Sequence, residues 1–546
     1  MRIYRHQAIR WGKGNVLLFL FTFLPLAVGA QDSLLLRNYE VVKQQDTWLS
    51  GRNAAALTRF TAPDIATAEA ALSWERGSLA NYTEGQRQLT ADISAEAFCR
   101  LSPRVVVAGA ISYENWSGKD MTGSAFIRPE RMPFNLVEDS LTNAGNKHRD
   151  TYRLTGGVGV DLWQGIAVGA RLDYTSANYA KYKDLRHKNK LMDLQLTAGV
   201  YAPLTAWLSA GADYTYHRQT ESVTFGTYGK NEKVYKTLID YGAMMGRVEQ
   251  FGNEGFTDKS REMPFFEESH GVGVQIELRP SRLSPLTIYA AAELSHGTGY
   301  YGRRSPYTIT YTNHDRDVTS MNVVAQYVAT ESQHTLAFDF RREKVENRME
   351  TYRELTNQSG ATYYEYYDAV ESGDKWWRDM QLTWTSRLGM HGETPTWQLQ
   401  AAYQWGKRTQ RGYLYPYFRR QHLHTNEVSL SATRNLIGQH GIWSLTVAGA
   451  YHKGNGSPAD DYVFVEPDSK QEAPATMTAM LMREYHYLTA PQYRLGASAQ
   501  YAFLFPGTRL KTHARLSVSY RKANETSEYY TASDRTQVSL AVGCTF

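Results

Sequence analysis

The sequence is short of cysteine and proline, has almost no excess of either charge, and offers no series of long hydrophobic runs. Two cysteines among 546 residues, Cys99 and Cys544, cannot build a disulfide framework. A helical membrane bundle needs several apolar stretches of about 20 residues, and a mean hydropathy of −0.51 excludes it. With 60 basic against 55 acidic residues there is no electrostatic footprint for nucleic acid. Walker, dinucleotide-binding and EF-hand patterns are missing too. What abounds is tyrosine and glycine, 38 and 42 residues against 17 prolines, a mixture that suits strands and turns.

The first thirty residues read as a secretory signal peptide. Arg2, Arg5, Arg10 and Lys13 form a basic region, Val16 to Leu26 an apolar stretch too short to span as a helix, and Val28-Gly29-Ala30 a small-residue cleavage site. Cleavage after Ala30 removes four basic residues and no acidic one, which leaves 56 against 55 and a net charge of +1.

Along the rest of the chain the dominant signal is a period of two. From Leu89 to Leu101 the odd positions are Leu, Ala, Ile, Ala, Ala, Cys and Leu, while the even ones include Asp92, Glu96 and Arg100. Comparable segments run from Tyr152 to Leu162, Met192 to Ala202, Trp397 to Trp405, Trp443 to Tyr451 and Leu510 to Tyr520. Strands of about ten residues match a bilayer crossing, whereas sandwich strands are nearer five or six. Short turns such as Leu101–Arg104 and Leu504–Gly507 alternate with polar segments near 117–150, 219–268, 345–376 and 453–492. Short turns on one side and long loops on the other are the transmembrane-barrel pattern.

Strand starts are expected near 66, 89, 104, 151, 166, 191, 206, 269, 285, 319, 334, 378, 396, 421, 441, 493, 509 and 534. The predicted fold is all-β: one transmembrane antiparallel barrel of about 18 strands, within a range of 16 to 20, over residues 62–546. Residues 31–61 are expected to form a plug or a periplasmic segment. The last strand alternates Val538, Leu540, Val542, Cys544 and Phe546 with polar or small residues. This ending resembles the assembly signal of Gram-negative outer-membrane barrels and implies that location. Between Trp48 and Leu57, the run Ser50-Gly51-Arg52-Asn53-Ala54-Ala55-Ala56 resembles the hatch box of FadL-like hydrophobic-substrate transporters, with Ala54 where proline is usual and Ala56 where glycine is. More widely, the architecture and the Tyr-rich loops resemble uncharacterised outer-membrane β-barrel families of Bacteroidota.

Chemistry is sought on the lumen face. Arg509, Lys511, His513, Arg515 and Arg521 form a basic ladder opposite Leu510, Leu516 and Tyr520, with Asp92, Glu96, Asp173 and Asp339 as acidic partners. Arg153 is expected to face the lumen, and Leu154, Leu172 and Phe338 the lipid. Trp48 and Asn53 are the plug residues. Tyr363, Tyr364, Tyr366, Tyr367, Tyr415 and Tyr417 are candidates for a binding surface on external loops. No catalytic set or metal site emerges: His513 with Ser517 belongs to a polar wall, and His422 with His424 lacks a third ligand. The expectation is therefore not an enzyme and no cofactor. It is a conduit or binding channel for a small polar or anionic solute, a sugar among the candidates. The alternative is a non-conducting accessory or scaffold subunit beside a TonB-dependent transporter or surface lipoproteins. Outer-membrane lipids are partners in either case, and nucleic acid in neither.

Overall fold

The computed structural model describes residues 34–546 apart from 139–143, 229–234, 252–262, 281–284, 469–470, 526 and 530–531. The signal segment expected at 1–30 lies outside the described residues.

In hydrocarbon every backbone N–H and C=O must find a partner within the protein, so a spanning sheet has to close on itself. Eighteen antiparallel strands do so. They are Ile65–Gly77, Arg87–Ser102, Val105–Met121, Gly145–Trp163, Ile166–Lys181, Arg186–Pro203, Leu208–Gly226, Met263–Leu278, Leu286–Ser305, Thr308–Val328, Ser332–Met349, Val370–His391, Thr394–Leu414, Tyr417–Ile437, Ile442–Val463, Gln492–Leu504, Lys511–Ala523 and Asp534–Thr545. Each pairs with its neighbour, and the last returns to the first with Ala68 opposite Cys544 and Trp74 opposite Val538. The ring therefore has no free edge.

Alternation sets which face meets lipid. Ile93, Leu154, Val447, Leu516 and Leu540 are between 45% and 63% exposed, and they lie on the outer face. Apolar side chains so exposed form a belt that water would not tolerate and a bilayer requires. Leu154, Leu516 and Tyr520 face outward as the pattern predicted, and Arg153, Asp173, Asp339, Arg515 and Arg521 occupy the opposite parity. A closed, belted barrel of this kind is an integral protein of an outer membrane.

Several strands start earlier than the alternation indicated, by eleven residues at Thr308 and eight at Val370. The wall strands run to 22 residues, about 70 Å at ~3.3 Å per residue, well beyond the apolar band of about 25 Å. Above that band both faces meet water or protein, so nothing imposes a period of two. Tyr307 is the turn between two such prolonged strands.

The long external segments fold back on the wall. Asn135–Glu138, Tyr235–Gly242, Met245–Phe251 and Ala475–Thr476 form a four-stranded sheet. The helix Thr478–Thr489 follows it. Phe126, Phe134, Leu136 and Tyr241 from these segments pack with Phe265, Tyr301 and Tyr311 of the wall in one buried apolar cluster.

Candidate functional site: the closed lumen

At the periplasmic end the lumen is occupied by residues 34–64. Asn38 caps the helix Tyr39–Gln45, its side-chain oxygen accepting from the N–H groups of Glu40 and Val41. Asp46 caps a 3₁₀ turn at Thr47–Ser50, and Asn53 caps another at Ala54–Arg59. Short polar residues at three successive turn starts let a segment too small for its own core keep a fixed shape. That shape docks as a hatch.

The docking floor is made of glycines. Gly157, Gly159, Gly169, Gly199 and Gly211 stand where strands 145–226 face inward; the hatch backbone lies directly on Gly159 and Gly169, and its Asn53, Trp48 and Leu57 side chains on the others. A Cβ added at Gly169 would sit 2.2 Å from Ala55 N, and one at Gly199 would sit 2.2 Å from Asn53 Oδ1. Only a residue without a side chain permits such an approach.

Asn53 is 3% exposed and donates from Nδ2 to Val200 O at 2.8 Å and to Gln275 Oε1 at 3.0 Å. Trp48, 2% exposed, is wedged edge-on between Tyr201 and Tyr289 with centroids 5.0 and 5.1 Å away. Ion pairs complete the seat: Arg59 with Asp46 at 2.8 Å and Glu277 at 3.1 Å, Arg52 with Glu293 at 2.9 Å, and Lys43 with Glu96 at 2.9 Å.

The outer end is held by buried charges. Glu138 accepts from Lys147 at 2.7 Å and from Lys181. Arg408 of the wall grips Glu484 of the helix Thr478–Thr489 through two hydrogen bonds of 2.9 and 2.7 Å. Arg131, at the tip of the segment after the third wall strand, reaches Asp379 at 2.5 Å. Between hatch and cap lies a cavity of about 1070 Å³, bounded by Ser50, Gly51 and Arg52 on one side and Arg131 on the other. Gln275, Asn322, Gln381, Thr383, Gln404 and Asn426 are among its wall residues.

The basic row finds its partners among residues the sequence did not single out, one of them acidic. Glu69 of the first strand accepts from His513 at 3.0 Å and from Arg515 at 2.5 Å. The contact reaches across the last strand over Gly543, where a Cβ would lie 2.6 Å from the His513 ring. Closure supplies this partner, and a linear reading placed it at the far end of the chain. Lys511 donates to Arg37 O of the hatch at 2.7 Å, and Arg521 donates to Tyr487 OH at 2.7 Å. Arg509 stands outside the row, exposed in the turn before Lys511.

The four proposed acidic partners lie elsewhere. Glu96 takes Lys43, Asp173 takes Arg171 at 2.7 Å, and Asp339 accepts from Asn322 at 2.8 Å. Asp92 has no ion-pair partner among the described residues.

Tyrosines of the outer loops serve partly as packing. The hairpin Tyr352–Thr356 and Thr362–Tyr366 places Tyr364 and Tyr366 against Tyr352. Tyr366 OH also donates to Thr308 O at 2.8 Å. Tyr363 is half-buried, and Tyr417 donates to Gln471 O. Tyr367 and Tyr415 are exposed. No group of three or more His, Cys, Asp or Glu gathers into a metal site among the described residues.

No curated protein matches the sequence. Among solved structures the chain is similar to the ferric preacinetobactin receptor BauA of Acinetobacter baumannii, with 9% identity over 89% of this chain and 80% of that one and a TM-score of 0.42. The alcaligin outer-membrane receptor FauA of Bordetella pertussis gives 9% identity, 89% and 77% coverage and a TM-score of 0.39. The FrpB iron transporter of Neisseria meningitidis gives 9%, 90% and 83%, and 0.38. These are likenesses of barrel architecture alone. One family model spans nearly the whole wall and the inner turn of the hatch, matching residues 54–546, and the chain belongs to that family, the family of unknown function DUF6850.

Proposed function

We propose that the barrel is a conduit for a small polar solute, closed at both ends by segments of its own chain. The observation that carries this reading is the cavity of about 1070 Å³ held between hatch and cap, lined by amides and hydroxyls together with charges of both signs such as Arg341 and Glu427. A barrel of this strand number is wide enough for an aqueous channel unless filled. Here the filling is confined to the two ends.

The expected lure for anions is weak on this reading, because Glu69 and the hatch carbonyl of Arg37 already answer the basic row. The test is single-channel recording of the full chain in planar bilayers, beside a variant in which the hatch is unseated by Gly169→Ala and the cap loosened by Glu484→Ala. The variant should open more often and to a larger conductance than the parent. Silence from both would remove the conduit reading.

An accessory role is favoured by one feature. Tyr462, Val463, Phe464 and Val465, at the outer end of the longest wall strands, are 49% to 63% exposed, an apolar rim in reach of a partner. Cross-linking at Val465 in intact cells tests it, and a silent conductance record with a specific cross-linked partner would favour it over the conduit.

A further inference from the structure

The hatch sits off centre. It rests on strands 145–226, and on the opposite side, beside the strand Gln492–Leu504, a space is left between the wall and Asn38 of the hatch. A cavity of about 580 Å³ lies there, inside the range of about 300–1,000 Å³ usual for small-molecule sites.

Register gives this cavity its chemistry. Thr433 stands opposite Thr446, Thr446 opposite Ser498, Ser498 opposite Ser517, Ser517 opposite Ser539, and Ser539 opposite Ser73. All six have lumen parity, since Leu445, Val447, Leu516 and Leu540 beside them are the exposed lipid-facing positions. Six consecutive strands thus carry one hydroxyl each along one line of paired residues, repeating about every 4.8 Å; Thr433, Thr446, Ser498, Ser517 and Ser539 line the cavity, and Ser73 continues the row beyond it. All six pair with one another: Thr433 with Thr446 at 2.9 Å, Ser517 with Ser498 at 3.0 Å, and Ser73 with Ser539 at 2.9 Å, so each pair keeps one hydroxyl hydrogen and its remaining lone pairs free. Gln398, Asn435, Gln500 and Gln537 border the row with amides.

Among the described residues the one charged side chain lining the cavity is Arg515, and Glu69 holds it. An ion moved onto this wall would give up water for partners without countercharge, which is costly. A hydroxyl is different, because it both donates and accepts and carries no charge. A ligand with many hydroxyls can exchange its water for the row step by step, and the paired serines and threonines retain lone pairs for it. We infer that this hydroxyl arc is a recognition track for an uncharged polyhydroxylated solute of the carbohydrate type. The inference rests on the conduit reading and names the class of solute.

The test uses the full chain in phosphatidylcholine liposomes with its two free cysteines replaced, Cys99→Ser and Cys544→Ser, so that Ser498→Cys is the reporter thiol and, in a parallel variant, a cysteine at the exposed Ala206 corrects for bulk effects. N-ethylmaleimide labelling of the reporter is followed with raffinose, with citrate, and with sodium chloride at matched ionic strength. Raffinose should slow the labelling at Ser498→Cys and leave Ala206→Cys unchanged, and neither salt should protect. Adding Thr446→Val and Ser539→Ala should weaken raffinose protection by roughly fivefold for each hydrogen bond lost. Protection by citrate alone overturns the inference, as does protection that survives both substitutions. A reporter that never labels overturns it as well, since a track no solute reaches recognises nothing.

Liposome swelling in raffinose judges the conduit separately. Arc-dependent protection without swelling removes passage and keeps recognition. Swelling that ignores the arc keeps passage and removes this inference.

Discussion

Gly169→Ala isolates what seats the hatch. The added methyl would lie 2.2 Å from Ala55 N, 2.4 Å from Ala54 C and 2.7 Å from Ala55 Cα. Carbon contacts are comfortable only at about 3.5–4.0 Å, and these neighbours are backbone, so no rotamer relieves the clash. The turn Ala54–Arg59 must move away as a unit. Overpacking of this kind costs about 1–3 kcal/mol. That figure corresponds to a roughly 5- to 150-fold larger population with the hatch out. The wall itself should be unaffected, because alanine keeps the ladder hydrogen bonds of its strand. Gly156 is the control: it lies in the neighbouring strand, and nothing stands within 4 Å of a Cβ there. The assay is trypsin cleavage after Arg59 in the detergent-solubilised full chain. Arg59 is shielded by Asp46, Glu277 and Tyr201, so cleavage reports the opened state. Gly169→Ala should be cut at least several-fold faster than the parent and Gly156→Ala at the parental rate. Equal rates for all three would refute the argument that glycine contact positions the hatch.

Glu484→Ala strands the Arg408 guanidinium, which has 13% side-chain exposure, and should loosen the outer cap by about 3–5 kcal/mol, read as faster hydrogen exchange over residues 478–489 with the wall unchanged. Leu430→Arg places a charge on the lipid face at a cost of about 2–4 kcal/mol near the midplane and should cut the yield of folded, heat-modifiable barrel. Ser429→Arg, one residue away on the lumen face, should assemble normally; equal yields would mean the register is wrong. Cys99 and Cys544 should remain reduced in peptide mapping without reductant, because the first strand separates theirs and puts the backbones about 9–10 Å apart, beyond the ~7 Å a disulfide allows. A linked peptide pair would contradict the order in which the wall closes.

Family membership adds little chemistry to this picture, and the lumen has to be read from its own residues. Two closures built differently guard one chamber. The hatch rests on close contact with wall glycines and on the buried pair of Arg59 with Glu277. The cap is fastened by charge pairs buried away from solvent, Lys147 with Glu138 and Arg408 with Glu484. Breaking either buried pair, Arg59 with Glu277 or Arg408 with Glu484, leaves an uncompensated charge, so both closures depend on keeping their partners together.

What the sequence determined by itself was the wall. Lipid imposes one rule, apolar at every second residue, and that rule is written locally in segments such as Leu89–Leu101 and Val538–Phe546. Strand number, the order of turns and the lipid face of Leu154 or Leu516 follow from it without knowledge of any distant contact. The lumen was decided only by the closed structure. Glu69 meets His513 because the last strand returns to the first across Gly543, a contact between residues 444 positions apart that no local period encodes. The glycines of the hatch floor look like turn residues until five of them are seen together under the segment from Trp48 to Leu57. The hydroxyl arc is likewise scattered as single serines and threonines from residue 73 to 539, and it becomes a row only when hydrogen-bond register sets six strands along one line of paired residues. A bilayer acts on each strand alone, whereas a lumen is made of what separate strands bring together.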